Sequence, residues 1–138
     1  MLCGLLHDIG KLAISNTIIS KPAKLTEAEY QIVKTHALEG YNLLKDLSIN
    51  EHIKNSALMH HERCDGTGYP EGVKADKIDE YAKIVAFADV YDAMTSARIY
   101  RGPLCPFQVI EIFENEGLQK YDSKYILTFL EGIVNTYV

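Results

Sequence analysis

The sequence predicts an all-α protein, a helical bundle, and three observations carry that reading. Apolar residues recur near a 3.6-residue period in several segments, and capping residues open those segments. No stretch alternates apolar and polar residues as a half-buried strand would. The 138 residues suffice for one domain (1-138) with a core of its own, and no repeat or low-complexity tract divides it.

Taken in order, the chain starts as though already inside a helix. Leu2, Leu5, Leu6 and Ile9 lie at helical spacing, and nothing before them can cap. Lys21-Pro22-Ala23-Lys24 reads as a linker. Thr26-x-x-Glu29 has the form of a capping box, whose hydroxyl and carboxylate satisfy free amides at a helix start. The helix it opens is expected to run unbroken through Tyr30, Val33, Ala37, Tyr41 and Leu44, with His36 on or beside that apolar stripe. A further helix is expected over Glu51 to His61, facing Ile53, Ala57 and Leu58 inward. Asp65 to Gly72, with three glycines and Pro70, cannot be a regular element. The next helix should span Glu80 to Ser96. Its Ala82, Val85, Ala86, Asp89 and Ala93 share a face, which places the Asp89 carboxylate amid small apolar side chains. Arg98 to Pro106 is irregular. Pro106 suits the first turn of a helix that Gly117 ends, and Asp122 can cap a last helix from Ser123 to about Tyr137.

Composition excludes several functions. A formal charge of −5 leaves no basic excess for a DNA or RNA backbone, although cations could still bring in a small phosphate ligand. Cys3, Cys64 and Cys105 are odd in number and form no C-x-x-C pair, which fits a reducing, cytoplasmic setting. No apolar run reaches the roughly 20 residues of a membrane span. The apolar start lacks the basic leader of a signal peptide.

The chemistry-bearing residues are the histidines and the acids near them. His60-His61 closes an apolar run and leads straight into the glycine-rich loop. Imidazoles are common metal ligands, and an adjacent pair can reach two ions or grip one from two sides. In His7-Asp8 the carboxylate has two oxygens and can bridge two ions while the histidine binds one. Lys11, one turn on, is placed to meet a ligand phosphate. His36 lies on an apolar face. Asp89, if buried unpaired, would cost several kcal/mol that a cation would offset. Each has an ordinary alternative: a surface or capping role for His7-Asp8, a solvated Lys11, a core histidine at His36. Asp92 could flank the site or make only a local hydrogen bond, and His52 should face solvent. Together they suggest a polynuclear site between helices, whose mixed nitrogen and oxygen ligands suit Fe, Mn, Zn or Co better than Ca.

Six segments bring the chain to a family resemblance. They are His7-Asp8-Ile9-Gly10-Lys11, Lys34-Thr35-His36, His60-His61-Glu62-Arg63, Asp65-Gly66-Thr67-Gly68-Tyr69-Pro70, Ala88-Asp89-Val90-Tyr91-Asp92-Ala93-Met94-Thr95-Ser96 and Arg98-Ile99-Tyr100-Arg101. In order and spacing they resemble the HD-GYP family, a branch of the HD superfamily of metal-dependent phosphohydrolases. The resemblance implies an HD-domain-like helical bundle with a bi- or trinuclear iron or manganese site. It also implies hydrolysis of cyclic di-GMP to pGpG or GMP. Carried over by motif, His7, Asp8, His36, His60, His61 and Asp89 are the expected metal ligands, two ions the expected complement, and Asp8 the bridge. Asp8 and Lys11 are the expected catalytic residues, and Lys11, Arg98 and Arg101 the expected substrate contacts. Asp65, Gly66, Gly68, Tyr69 and Pro70 form the signature loop.

The chain departs from the family pattern at Cys64, where members often carry an aromatic residue, and at Ile99, where many carry proline. Family members also have helices ahead of the His-Asp motif, which supply a further histidine ligand. Here six residues precede His7, so the domain is expected to be N-terminally truncated. The expected reaction is in-line attack on phosphorus by a water that two cations have activated. Two alternatives stand beside it: an HD phosphohydrolase for another nucleotide, and a weak or inactive interaction module. The Gly-Tyr-Pro loop could engage a diguanylate cyclase domain, and the apolar start, Met1 to Leu6, is expected to drive self-association.

Overall fold

The computed structural model of the chain describes residues 1–96, 104–117 and 119–137. The regular elements among these residues are all helical, and no strand occurs among them. The order is α1 (Leu2–Leu6), a 3-10 turn (Ile9–Ala13), α2 (Asn16–Ile19), α3 (Glu27–Lys34), α4 (His36–Leu44), α5 (Glu51–Met59), α6 (Glu80–Thr95), α7 (Pro106–Ile112), a π turn (Phe113–Gly117) and α8 (Ser123–Tyr137). An all-α bundle is what the sequence led one to expect.

The capping box at Thr26 forms in full: Thr26 Oγ1 accepts from Glu29 N, and Glu29 accepts from Thr26 N. The helix it starts does not run through to Leu44, however. It stops at Lys34, and α4 begins afresh at His36. At the break Thr35 N donates to the Ile32 carbonyl at 3.1 Å in a tighter turn. The Thr35 hydroxyl donates to the same carbonyl at 2.7 Å, and His36 Nδ1 donates to the Val33 carbonyl at 2.6 Å. α3 buries none of its residues, so Tyr30 lies outside the core that its place in the stripe suggested. α5 likewise ends two residues early. His60 is its C-cap and His61 lies beyond it.

α6 is apolar on more than one side and separates two cores. One gathers Cys3, Leu44, Ile53, Ala57 and Val85, with Leu6, Ile9 and Ile49 packed against them. The other gathers Phe87, Val109, Phe113 and Ile126 under a layer that includes Tyr121 and Phe129. Ala57 and Ala82 are fully buried, while Leu58 is only half-buried. Asp79 caps α6 and accepts from Tyr81 N, and the same carboxylate takes His52 Nδ1 at 2.8 Å and Asn55 Nδ2 at 3.1 Å from α5. His52 is exposed as expected, but it is paired here and stacked on Tyr81. Asp122 caps α8 through Lys124 N. The helix after Pro106 reaches Gly117 only by way of the π turn.

One close approach sets up everything at the site. The 3-10 turn lies directly on α4, and a Cβ at Gly10 would overlap the His36 carbonyl oxygen and the Gly40 backbone. Glycine at position 10 lets the segment carrying His7 and Asp8 reach the helix carrying His36.

Candidate metal centre

Asp8 stands at the middle of a cluster drawn from four parts of the fold. Its Oδ1 lies 3.3 Å from His36 Nε2 and 3.8 Å from His60 Nε2. Its Oδ2 lies 3.4 Å from His7 Nε2 and accepts a short hydrogen bond from Lys11 Nζ. Across from Asp8, His7 Nε2 is 3.7 Å from Asp89 Oδ1 of α6. His61 completes the group: ligand atoms of Asp8, His36, His60 and His61 all lie within 4.8 Å of one another.

The hydrogen bonds fix which ring nitrogens face inward. His7 Nδ1 bonds the Gly4 carbonyl at 2.7 Å, His36 Nδ1 the Val33 carbonyl at 2.6 Å, and His60 Nδ1 the Ser56 and Ala57 carbonyls at 3.0 and 3.1 Å. A carbonyl only accepts, so each Nδ1 carries a proton and each Nε2 points into the cluster. Partners of this kind orient metal-binding histidines.

Electrostatics then favour a cation. Desolvation, with the charges of His7 and His36 adding to it, lowers the His60 pKa to about 4. Burial also depresses His36, and with neighbouring positive charge it takes His61 to about 2. These three imidazoles are therefore neutral at pH 7. His36 Nε2 and His60 Nε2 face each other at 3.2 Å with lone pairs on both and Asp8 Oδ1 close by. Asp8 Oδ1 and His7 Nε2 are buried without a hydrogen-bond partner. Such atoms are costly unless something positive lies between them. On the other side the Asp8 and Asp89 carboxylates push His7 up to about 10, so without a metal its ring carries a proton between them, and an ion bound there would take that proton's place. Burial opposes the ionised Asp8, but His7 and Lys11 outweigh it and hold its carboxyl well below the usual range. The donor set of Asp8, His36, His60 and His61 could hold a metal ion, with His7 and Asp89 beside it.

Every expected ligand thus converges on one place. One expectation needs correction. Asp89 is not sunk among small apolar residues, because its side chain is 33% exposed. It borders an open cleft of about 400 Å³ beside His7, lined by Met1, Cys3, Tyr81, Ile84, Ala88 and Asp92. The cleft leaves this side of Asp89 open to solvent. Asp92 is exposed on its rim and near Ser96 Oγ. Arg98 and Arg101, the expected substrate contacts, lie outside the described residues.

Sequence reasoning passed over Glu62. Its side chain is 2% exposed and accepts three loop amides, from Glu71 N at 2.7 Å, Gly72 N at 3.1 Å and Val73 N at 3.1 Å. The loop then folds back so closely that a Cβ at Gly68 would overlap the backbone of Glu62 and Arg63. Tyr69 N donates to the His61 carbonyl, and the Tyr69 ring stacks on His61 with centroids 4.7 Å apart. An acid directly after a ligand-type histidine pair and before a glycine-rich loop was the available signal.

Comparison with known proteins agrees with this arrangement. A family model described as HD domain matches residues 1–125. Over 99 residues the chain is 50% identical to the cyclic di-GMP phosphodiesterase response regulator RpfG of Xanthomonas campestris, covering 70% of this chain and 26% of that protein. It is 46% identical over 101 residues to a cyclic di-GMP phosphodiesterase of Pseudomonas aeruginosa, covering 72% and 24% respectively. It is 44% identical over 110 residues to 3′3′-cGAMP-specific phosphodiesterase 3 of Vibrio cholerae, covering 80% and 24%. The chain spans about a quarter of the length of these relatives. Since the family match runs unbroken across every segment that meets at Asp8, the chain belongs to the HD domain family, in its HD-GYP branch.

Proposed function

We propose that this chain is a metal-dependent phosphodiesterase that opens cyclic purine dinucleotides, cyclic di-GMP foremost, to pGpG or GMP. The observation that carries the reading is the set of three facing acceptors, Asp8 Oδ1, His36 Nε2 and His60 Nε2, with no hydrogen to share among them. Relatives named as cyclic di-GMP and 3′3′-cGAMP phosphodiesterases support the substrate class.

Asp8, His36, His60 and His61 would hold one ion, and His7, Asp8 and Asp89 the other, with iron or manganese as the expected metals. Bound divalent cations supply Lewis acidity and lower the pKa of water toward neutrality. The rest falls to the protein. Asp8, with one oxygen toward His36 and His60 and the other toward His7, would contribute to both positions. Lys11, bonded to Asp8, is held where its ammonium offsets charge developing on the phosphoryl oxygens. Arg98 and Arg101 are proposed nucleotide contacts on sequence grounds. The position at His7 and Asp89 has fewer protein ligands among the described residues, so it should bind metal more weakly and make turnover by this chain slow.

Further parts of the reading extend to partners and place. The loop from Asp65 to Pro70 is proposed to engage a diguanylate cyclase domain. Exposed Met1, Leu2, Leu5 and Leu12 favour self-association. Light scattering at micromolar concentration tests it, and a strictly monomeric chain would refute it. No helix among the described residues is long and apolar enough to cross a membrane. The three cysteines are free, which supports action in the cytoplasm.

The test is to load the chain with Mn(II) or Fe(II) and follow linear product from cyclic di-GMP and 3′3′-cGAMP. Metal-dependent product that disappears in Asp8→Ala is expected. A fully loaded chain that yields no product from either nucleotide would favour the interaction-module alternative.

A further inference from the structure

The centre anchors three of its four imidazoles by one device and leaves the fourth without it. His7, His36 and His60 each bond a backbone carbonyl through Nδ1. His61 lies past the C-cap of α5 and touches the rings of His36, His60 and Tyr69. Among the described residues its ring makes no hydrogen bond. The place of His61 therefore depends on the backbone around it, and that backbone is held from outside the centre.

Residues 62 to 64 rest on the core of Phe87, Val109, Phe113 and Ile126. Arg63 Nη1 donates to the His60 carbonyl at 3.2 Å and to the Glu62 carbonyl at 2.9 Å, one on each side of His61. The His61 carbonyl is taken by Tyr69 N, so all three carbonyls of the turn are bound. The guanidinium carbon lies 5.0 Å from the Tyr121 ring centroid, and among the described residues no carboxylate pairs with it. Tyr121 stands edge-on to Phe113 at 5.2 Å and to Phe87 at 6.1 Å, which fixes the face that Arg63 covers. Cys64 N then donates to the Lys120 carbonyl at 2.9 Å. An arginine that binds carbonyls at a helix C-terminus is an ordinary cap. Capping alone does not require its guanidinium to be seated on the ring of a separate core.

We propose that Arg63 and Tyr121 are positioning residues of the metal centre, through which the second core sets the place of His61, an inference that rests on the metal-binding reading above. A guanidinium is a flat fork with several donors, so it can hold both flanking carbonyls while its face lies on an aromatic ring. Metal ligands must be placed to about half an ångström, and an imidazole without a partner of its own takes that precision from its backbone. The core around Phe113 supplies no ligand-type residue to the centre. Its contribution is the seat under the turn that carries one.

The test separates this seat from general stability. The full chain and its variants would be titrated with Co(II), following visible absorption. Arg63→Met and Tyr121→Leu are expected to raise the dissociation constant about tenfold, as loss of outer partners of a ligand does. Tyr121→Phe, which keeps the ring face, should bind as wild type. Phe129→Leu takes a ring from the same core without touching Arg63 and should lower the melting temperature but leave affinity unchanged. In a His61→Ala background, Arg63→Met should cause no further loss, because its effect runs through His61. Wild-type affinity in Arg63→Met and Tyr121→Leu would overturn the proposal and leave the metal-binding reading intact. An equal loss in Phe129→Leu, or an undiminished effect of Arg63→Met without His61, would overturn it as well. If wild type binds no Co(II), the metal-binding reading fails and this inference falls with it.

Discussion

His36 and His60 meet through their Nε2 atoms at 3.2 Å, each with its Nδ1 already bonded to a helix carbonyl. Burial keeps both rings neutral at pH 7, so the contact brings lone pair against lone pair. Two acceptors at hydrogen-bond distance without a hydrogen between them suit a cation. The adjacent Asp8 Oδ1 supplies the negative charge that such a cation requires.

Asp8→Ala is therefore expected to lose most bound metal, because both proposed positions would draw on that carboxylate. His7→Ala should lose metal only from the position shared with Asp89. Elemental analysis after dialysis checks both. Unchanged stoichiometry in Asp8→Ala would rule out the bridging role.

Gly10→Ala should damage the site without touching a ligand. The added methyl overlaps the His36 carbonyl and the Gly40 backbone, forcing the 3-10 turn off α4. Overpacking of this kind costs about 1–3 kcal/mol. Urea unfolding should show that loss, together with weaker metal binding as Asp8 and His36 separate. Wild-type stability in the variant would mean that the turn can shift freely.

Glu62→Ala would leave the amides of Glu71, Gly72 and Val73 without their acceptor. Buried unsatisfied donors cost about 1–3 kcal/mol each at most, less where water can enter. Faster amide hydrogen exchange confined to Glu71–Val73 is the expected signature. Glu62→Gln, which keeps acceptor capacity, should recover part of the protection.

Asp79→Ala removes the α6 cap and the links to His52 and Asn55, at a cost of about 1–2 kcal/mol. Burial works against the Asp79 carboxylate, but Asn55, His52 and the Tyr81 amide outweigh it and leave its pKa below normal. A depressed folded-state pKa stabilises the fold above the unfolded value of about 3.9. That contribution is lost as the pH falls below it. The stability gap between wild type and variant should be full at pH 6 and shrink as the solution is acidified below about pH 4. A gap that widens in acid would reverse the assignment.

The sequence by itself determined the helical class, the capping of α3 and α8, and which residue types could hold metal. Those signals are local: a hydroxyl three residues before a glutamate, or two adjacent imidazoles before a glycine-rich loop. Tertiary structure decided what depends on approach between distant segments. The expected helix to Leu44 breaks at Thr35, where the backbone tightens into an i to i−3 turn that periodicity does not register. Asp89 is partly exposed because a cleft opens beside it, which no helical wheel of α6 could show. Asp8 serves two sets of imidazoles because Gly10 lets its turn lie against α4. Glu62 gains its role only when the loop folds back on His61. Period and capping are properties of a few neighbouring residues, whereas a ligand set is made of distances across the fold, and packing alone sets those.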